Sequence, residues 1–392
     1  MTGLEKFHAK TLKGLEPLLA EELKNLGASR TEIVNRGFTF YGGMALMYRA
    51  NLASRLALRV LLPILRFDAT DSDTLYRKVK RFEWSRYLDN KMTFAVDPVV
   101  HSPHFNNSQY VAQKVKDAIV DRFRDATNLR PSVNREQPDL LINVHISGKW
   151  VTLSLDSSGG SLHRRGYRTG HGYFEAPLNE VLAAGMLMIS GWEGNTPFLD
   201  PMCGSGTLAI EAALIAANIP PGIFKKQYGF ENWKDFDRDL MEHVAQKLSD
   251  EKEVKVPIIA RDLDPEAVEL TRRQVKQMDL QHIIKVEQGD FADSEGQEGI
   301  TLLMNPPYGE RMKPDDIEAL YGMIGSTLKH KFPGSDAWIL SSSKRALGRV
   351  GLKPSSKQLL YNGSLECSYV NYRTFPGKMK DHKAQSAANQ KK

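Results

Sequence analysis

The sequence predicts an α/β protein in which a mixed α+β region precedes a parallel sheet covered by helices on both faces. From Glu175 onward, short apolar strand-like segments alternate with helical ones, which is typical of such sheets. Before that point, strand-like and helical segments mix in two blocks. Near the end, Asn362-Gly363 separates two strand-like runs, which predicts an antiparallel hairpin at the sheet edge.

The first block, assigned to residues 1–66, combines short strands and helices. Leucines recur at helical spacing from Leu15 to Leu26, and Gly27 follows where a helix cap is expected. Strands are predicted at residues 6–11, 32–41 and 56–67, with a second helix at residues 44–52.

The second block is assigned to residues 67–157. Its pattern is weak between Asp68 and Asn90, after which residues 92–99 predict a strand. Apolar residues on one stripe then predict a helix at residues 107–125. Alternation at residues 140–146 and 150–155 predicts a hairpin about Ser147-Gly148.

A glycine-rich basic linker is predicted at residues 158–174. It carries Arg164, Arg165 and Arg168 around Tyr167. Basic residues beside an aromatic ring could grip a phosphate backbone and stack on a base, so these four are our candidates for RNA contact. An ordinary solvated loop between domains explains the pattern equally well.

The third region, residues 175–376, carries the parallel sheet, and residues 377–392 form a basic tail predicted to be disordered. Its parallel strands are predicted at residues 196–199, 257–260, 283–286, 300–304 and 337–340, and the hairpin strands at 357–361 and 364–372. A long helical insertion is expected at residues 222–252, between the first two of these strands.

The composition limits the classes of partner and compartment. The net charge of +6 and the pI of about 9.0 favour a polyanionic partner, although many basic proteins bind no nucleic acid. Two cysteines form no disulfide framework, and no apolar run reaches membrane-spanning length. We therefore expect a cytoplasmic protein without a membrane segment.

The first chemical motif joins a strand to a helix at residues 199–207, which read LDPMCGSGT. Gly204 and Gly206 allow unusual backbone angles and a close approach to a ligand. With Ala209 they also satisfy the loose dinucleotide pattern G-x-G-x-x-A, which alone is weak because a structural turn uses the same glycines.

Acidic residues follow the next two strands. Asp262 could accept the hydroxyl groups of a ribose, but it lies much further from the glycines than the roughly 20 residues of a dinucleotide site, which argues against NAD. Asp264 is predicted as the N-cap of a helix at residues 266–278. Asp290 could accept from an adenine amino group, with Phe291 stacking on the ring.

The discriminating motif follows the fourth strand and reads Asn305-Pro306-Pro307-Tyr308. The two prolines lack N–H groups and have fixed φ angles, which leaves the Asn305 side-chain oxygen and the Pro306 carbonyl as rigid acceptors. Such a pair suits an exocyclic amino group, whose two N–H bonds need two acceptors. Tyr308 offers a flat face to an extruded base.

These motifs resemble those of class I methyltransferases with a Rossmann-like sheet. The Asn305–Tyr308 segment resembles the motif of enzymes that methylate amino groups of guanine, adenine or cytosine. Residues 162–168, 176–180, 200–207 and 361–367 resemble RNA methyltransferases with an N-terminal THUMP domain, preceded here by a ferredoxin-like segment. Among these, the chain resembles the bacterial 23S rRNA guanine-N2 methyltransferases.

The resemblance implies S-adenosylmethionine as cofactor and 23S rRNA, or a precursor of the large subunit, as partner. It places Asp200, Cys203, Gly204 and Gly206 at the cofactor's methionine end, Asp262 at its ribose, and Leu263, Asp290 and Phe291 at its adenine. It makes Asn305, Pro306, Pro307 and Tyr308 the base pocket, with Asn305 also near the cofactor.

Several alternatives remain open at this point. A tRNA guanine-N2 methyltransferase shares much of the pattern, and an adenine-N6 methyltransferase shares Asn305–Tyr308. A non-catalytic RNA-binding assembly factor belongs to a different class, and an NAD-dependent oxidoreductase is disfavoured by the position of Asp262. No metal-ligand spacing is present, and we expect Cys203 to line the pocket rather than act as a nucleophile.

Overall fold

The computed structural model describes residues 4–168, 177–307 and 314–375, and these form two compact units. The N-terminal unit comprises Met1–Thr11, Leu19–Leu162 and Lys225–Leu248. The C-terminal unit comprises Leu12–Leu18, His163–Phe224 and Ser249–Lys392. The predicted disordered tail and the predicted base-stacking residue Tyr308 lie outside the described residues.

The N-terminal unit is built on one mixed sheet of eight strands in the order β2-β3-β1-β4-β8-β7-β5-β6. Its strands are β1 (Glu5–Lys10), β2 (Ser29–Val34), β3 (Gly37–Gly42), β4 (Arg59–Asp68), β5 (Thr93–His101), β6 (Ser132–Val133), β7 (Leu140–Ser147) and β8 (Trp150–Asp156). Its α-helices are α1 (Glu16–Asn25), α2 (Met44–Ala53), α3 (Ser72–Arg81) and α4 (Ser108–Thr127).

Alternation along the strands separates the two faces of this sheet. One face is apolar, and its side chains are buried in every central strand; they include Phe7, Val60, Val151, Leu153, Val144 and Ile146. The opposite face carries polar side chains at the intervening positions. The hairpin of β7 and β8 turns at Gly148, whose φ is +59°, as the sequence predicts.

One local prediction in this unit is wrong, and one helix was not predicted. Residues 32–41, expected to be one strand, belong to the hairpin of β2 and β3, which turns at Arg36 in the left-handed region (φ +55°). The segment from Asp68 to Asn90 contains α3, where the Asp71 side chain accepts from the Thr74 amide. A ten-residue helix with only Leu75 and Val79 buried leaves little apolar periodicity to detect.

The units differ from the predicted domains in two places. The boundary placed between residues 66 and 67 falls inside β4, which pairs with β1 on one side and β8 on the other. The expected helical insertion contains α7 (Arg238–Leu248) and short 3-10 turns, and residues 225–248 belong to the N-terminal unit. There Phe230 packs on Tyr48 with 4.7 Å between ring centroids.

The C-terminal unit contains a seven-stranded sheet in the order β11-β10-β9-β12-β13-β15-β14. Its strands are β9 (Phe198–Asp200), β10 (Ile258–Asp262), β11 (Ile284–Gln288), β12 (Thr301–Met304), β13 (Asp336–Ser341), β14 (Ser356–Asn362) and β15 (Leu365–Arg373). Its helices are α5 (Glu180–Ser190), α6 (Thr207–Ala216), α8 (Pro265–Gln277), α9 (Pro314–Lys331) and α10 (Lys344–Arg349).

This sheet has the predicted class I methyltransferase arrangement. Strands β9 to β13 are parallel to one another, whereas β15 is antiparallel to both β13 and β14, so the edge hairpin at Asn362-Gly363 is confirmed. The central strands are almost fully buried, because helices cover the sheet as the continuous apolar runs require. The carboxyl ends of β9 to β12 therefore meet at one edge, where ligands bind in open α/β sheets.

No helix in the described residues is long and apolar enough to cross a membrane.

Candidate active site

A cavity of about 700 Å³ opens at the carboxyl ends of β9, β10, β11 and β12. Each of these strands contributes the residues that follow it, and the start of α5 closes one wall. The principal lining residues are Pro177, Leu178, Asp200, Met202, Cys203, Gly204, Thr207, Asp262, Leu263, Asp264, Gly289, Asp290, Phe291, Asn305 and Pro307. The structure thus brings all four sequence motifs into one cavity within the C-terminal unit.

The glycine turn gives its two glycines different roles. Gly204 has a φ of +54°, a β-carbon added to it would meet no atom within 4 Å, and its amide donates to Asp262 Oδ2 at 2.8 Å. Gly206 has a φ of +74° and begins α6, but a β-carbon on it would lie 2.6 Å from Thr271 Cγ2. Gly206 is not among the cavity-lining residues and packs tightly against Thr271, and its predicted cofactor contact stays a prediction.

Asp200 and Asp262 form the acidic floor of the cavity. Asp200 is 1% exposed, and burial raises its pKa well above the usual range, with the nearby Asp262 charge adding to the effect. Burial also raises the pKa of Asp262, while hydrogen bonds from the amides of Gly204 and Asp264 oppose the shift. Both carboxylates would be stabilised in their ionised form by a cation in the cavity.

The other two acidic side chains lie near helix starts. Asp264 accepts from the Glu266 amide at 2.9 Å and caps α8, as the sequence predicts. Asp290 lines the cavity while accepting from the Ala292 amide at 2.8 Å. Phe291 lines the cavity, but its ring is buried and stacks on Phe332 with 5.5 Å between centroids. The contact with Phe332 occupies one face of the ring, and the predicted stacking on an adenine stays a prediction.

The charge of the lining selects between ligand classes. Its four aspartates are accompanied by no lysine or arginine among the described lining residues. A cationic ligand would be attracted to this cavity, whereas the pyrophosphate of a dinucleotide would be repelled. At the rim, Leu263 is 65% exposed although it is a large apolar residue, so it offers a free apolar surface to an aromatic ring.

Cys203 cannot act as a nucleophile in this environment. The thiol is buried and lies 3.7 Å from Thr271 Oγ1, and burial together with the charges of Asp200 and Asp262 raises its pKa. The thiolate is the reactive form, so a raised pKa leaves the side chain inert at neutral pH. Cys203 is a lining residue, as the sequence predicts.

Asn305 holds an acceptor that the described residues leave unused. It directly follows β12 and lines the cavity, and its Oδ1 is buried without a hydrogen-bond partner among the described residues. A buried acceptor without a donor is costly, so a ligand that supplies an N–H group would remove this cost. Pro307 also lines the cavity, and Pro306 beside it is buried.

The predicted basic linker is in large part a buried ion-pair cluster. Arg165 is 2% exposed, and its Nε donates to Glu211 Oε1 at 3.1 Å. Tyr167 is 1% exposed. The prediction that Arg165 and Tyr167 contact RNA is wrong, because neither side chain reaches the surface. Arg164 is exposed and stays a candidate.

Arg168 supports the wall of the cavity through hydrogen bonds to two lining residues. One of its terminal nitrogens donates to the Leu178 carbonyl at 2.7 Å and to Thr207 Oγ1 at 2.9 Å, and both acceptors belong to lining residues. Its Nε lies 3.2 Å from Glu180 Oε1. The Arg168 side chain is 28% exposed, and its predicted RNA contact stays a prediction beside this structural role.

Sequence reasoning missed the two acidic partners in this cluster. Glu180 and Glu211 are 1% and 0% exposed, and each is the sole charged residue of an otherwise apolar helix, α5 and α6 respectively. Such a lone charge in an apolar helix signals a buried partner, because an unpaired buried carboxylate is very costly.

Within the described residues, no group of three or more His, Cys, Asp or Glu side chains could hold a metal ion.

Three family profiles match consecutive parts of the chain. Residues 6–61 match the RlmL ferredoxin-like domain, residues 69–156 the THUMP domain, and residues 165–371 the RMKL-like methyltransferase domain. A Synechocystis sp. protein named as a candidate RNA methyltransferase is 39% identical over 374 residues, covering 94% of this chain and 97% of that protein.

Two further relatives are named ribosomal RNA large subunit methyltransferase K/L. The protein of Syntrophotalea carbinolica is 39% identical over 94% of this chain, and that of Photobacterium profundum is 37% identical over 98%. The matches cover 53% and 55% of those proteins, so this chain spans about half their length.

Solved structures share the fold over nearly the whole chain. SMU.472, a candidate methyltransferase complexed with SAH, has a TM-score of 0.86 at 28% identity and covers 96% of this chain and 100% of its own. A Listeria monocytogenes protein described as a predicted N6-adenine-specific DNA methylase has a TM-score of 0.84 at 29% identity. The match covers 95% of this chain and 97% of that protein. TrmN from Thermus thermophilus shares the fold, with a TM-score of 0.66 at 20% identity. The match covers 95% of this chain and 100% of TrmN.

Proposed function

The chain belongs to the RMKL-like methyltransferase family with THUMP and ferredoxin-like domains, and on that premise we propose that it methylates the N2 amino group of a guanine in 23S rRNA. Its cofactor is S-adenosylmethionine, in keeping with the family and with a structural relative complexed with SAH. The observation that carries the proposed reaction is the unpartnered Oδ1 of Asn305 in the cavity.

The cavity suits this cofactor in charge and in shape. S-adenosylmethionine supplies an activated methyl group on a sulfonium cation, and the four aspartates provide the complementary charge. Asp262 retains free lone pairs for ribose hydroxyls beyond those that accept the Gly204 and Asp264 amides. The exposed Leu263 provides an apolar contact for the adenine.

The protein's task in the transfer is to bind and orient the amine. The N2 lone pair of guanine is delocalised into the ring and is a poor nucleophile. An N–H···Oδ1 bond to Asn305 would direct that lone pair towards the methyl group and stabilise the positive charge that develops on nitrogen. No dedicated base is needed, because the methylated ammonium is strongly acidic and loses its proton to water.

The choice of guanine N2 and of 23S rRNA is supported by different observations. The relatives named large subunit methyltransferases support ribosomal RNA, and the THUMP domain supports RNA as the substrate class. The likeness of residues 305–308 to amino-methyltransferases supports an exocyclic amine, and the overall resemblance supports guanine among the bases that carry one.

Adenine N6 is the second candidate target. A structural relative at 29% identity is described as an N6-adenine-specific DNA methylase. The acceptor at Asn305 would fit that amine equally well, because both amines present two N–H bonds. The THUMP domain, a module of RNA methyltransferases, favours guanine in RNA over adenine in DNA.

The test is to incubate the purified protein with S-adenosylmethionine labelled on the methyl group and total RNA from a strain that lacks the gene. We expect label in N2-methylguanosine from 23S rRNA. Label in N6-methyladenosine would overturn the base assignment, and label in tRNA would overturn the RNA assignment. Labelling of DNA alone would support the second candidate.

A further inference from the structure

The polar face of the eight-stranded sheet in the N-terminal unit carries a continuous set of basic side chains. Paired residues share a face, so Arg66 on β4, Thr152 on β8 and His145 on β7 lie in one row. The next row contains Asp68, Trp150 and His101. We call this surface the basic face; its cations are Lys6, Lys10, Arg66 and Lys149, which lie around Trp150, His8, His101 and His145. The lowered pKa values of His8 and His145 leave these two imidazoles uncharged at neutral pH.

Trp150 gives this face an exposed aromatic ring between two cations. It is 46% exposed, with Arg66 Cζ 5.0 Å and Lys149 Nζ 5.7 Å from its ring centroid. The other four tryptophans of the chain are at most 7% exposed, so this one is unusual. An exposed ring flanked by cations is suited to stack on a nucleobase while the cations meet the neighbouring phosphates.

Cations outnumber acids on this face, although Asp68 lies beside Trp150 and its carboxylate feels the charge of Lys149. Burial, followed by the charges of Lys6, His145, Lys10 and Arg66, lowers the pKa of His8 to about 4. Among the described residues, no ion pair joins Lys6, Arg66 or Lys149 to an acid. The acids nearby are already engaged: Asp97 and Asp156 with Arg59, and Asp68 with Lys78.

We propose that the basic face binds a single-stranded segment of the substrate RNA, with one base stacked on Trp150 and phosphates against Arg66, Lys149 and Lys6. The proposal rests on the proposed function for the identity of the RNA. A single strand is favoured because a base must leave its pair to stack on a protein ring. A protein partner is disfavoured, because Trp150 is the sole large apolar side chain exposed among the residues of this face.

The charge on this surface is more available to RNA than most of the charge in the linker. Arg165 and Arg168 form ion pairs with Glu211 and Glu180, whereas Arg66 and Lys149 face solvent. We therefore expect most of the RNA-binding charge on the sheet of the N-terminal unit, where residues of several strands contribute to it.

The test measures affinity of the full chain for a short single-stranded RNA oligonucleotide by fluorescence anisotropy at several salt concentrations. Trp150→Ala should weaken binding about 5- to 150-fold. Arg66→Ala should lower the slope of log affinity against log salt by about 0.7, the value expected for one lost phosphate contact on a single strand. The same oligonucleotide in duplex form should bind more weakly and be insensitive to Trp150→Ala.

A matched control exists on α4. Tyr110 is 45% exposed with Lys114 Nζ 5.7 Å from its ring centroid, but it lies on a helix rather than on the basic face. Tyr110→Ala should leave RNA affinity within twofold of the parent. Equal losses in both variants, or no loss in Trp150→Ala, would overturn the proposal.

Two further readouts separate failure of this proposal from other failures. RNA should quench the intrinsic fluorescence of the parent and much less that of Trp150→Phe, because the remaining tryptophans are buried. Melting curves and S-adenosylmethionine affinity should match the parent in every variant, which excludes misfolding. If the parent methylates no guanine N2 but loses RNA affinity with Trp150→Ala, the proposed function fails and the basic face stands.

Discussion

The cavity region of the C-terminal unit and the basic face of the N-terminal unit handle charge in opposite ways. Around the cavity, charges are enclosed: four aspartates line it, and Arg165 and Arg168 are paired with buried glutamates. On the basic face, Arg66 and Lys149 are exposed and form no ion pair with an acid of the described residues. Enclosed charges fix geometry and select a small cationic ligand, whereas exposed charges can follow a long polyanion.

The difference shows why a net charge of +6 predicts so little by itself. The same residue type, arginine, is a wall support at position 168 and a proposed phosphate contact at position 66. Burial and the nearest partner decide between these roles. Changes to the enclosed charges should therefore alter stability, cofactor affinity or rate, while leaving RNA affinity unchanged.

The largest effect is expected from Arg165→Met. This change strands the buried Glu211 without its partner, and removal of one member of a buried pair costs about 3–5 kcal/mol of unfolding free energy. Urea unfolding measures the loss. Arg164→Met, at an exposed neighbour, should change stability by less than about 0.5 kcal/mol.

A second substitution tests whether the stranded charge is the cause. Arg165→Met combined with Glu211→Leu removes both charges and should recover much of the lost stability. If Arg165→Met instead leaves stability intact and weakens RNA binding, the contrast between the two regions fails, and the linker prediction from the sequence was right.

Asn305→Ala should lower the rate of methyl transfer about 10²- to 10³-fold, because it removes an acceptor that acts on the charge developing in the transition state. Single-turnover kinetics with bound cofactor measure the rate, and calorimetry measures cofactor affinity, which should change little. A collapse of cofactor affinity with an unchanged rate in the bound complex would contradict the role given to Asn305.

Asp262→Asn should weaken S-adenosylmethionine binding by about 1.5–3 kcal/mol, since it replaces the carboxylate that we assign to the ribose hydroxyls. Asp264→Asn is the matched control: it removes a charge two residues away but keeps a good helix cap for α8. Calorimetric titration compares the two. Equal losses would mean that overall charge, rather than a contact at Asp262, sets the affinity.

The sequence predicted the C-terminal sheet and the position of its site for one physical reason. Parallel strands end at one edge, so motifs that follow successive strands, such as those at Asp200, Asp262, Asp290 and Asn305, must converge. No contact needs to be known for that inference. It does not decide the detail, because packing determines which of the two glycines faces the cavity.

The errors share a different cause, namely contacts between residues far apart in sequence. The burial of Arg165 depends on Glu211, and the assignment of residues 225–248 depends on aromatic contacts with Tyr48. The turn at Arg36 was missed because the strand pattern runs on through a left-handed residue that is not glycine. The basic face was missed because its members come from five strands, β1, β4, β5, β7 and β8, and only the sheet register aligns them.

The smallest predicted effect is a pH dependence of stability from Glu180. Burial raises its pKa to about 7, although Arg168 opposes the shift. The folded protein therefore binds a proton that the unfolded chain releases near the ordinary glutamate pKa of about 4.5. Because the folded state holds more protons in this interval, the unfolding free energy should fall as pH rises from about 4.5 to 7.

The matched comparison is Asp156 in the N-terminal unit, where burial raises the pKa to about 6. Urea unfolding from about pH 4.5 to 8 should show a loss of stability from Glu180 that ends near pH 7. Glu180→Gln should remove the loss of unfolding free energy that ends near pH 7. The loss due to Asp156, which ends near pH 6, should remain, because the two carboxyls belong to different units. An unchanged profile in Glu180→Gln would mean that Arg168 keeps Glu180 ionised throughout, and that the enclosed cluster carries a full charge pair at every pH tested.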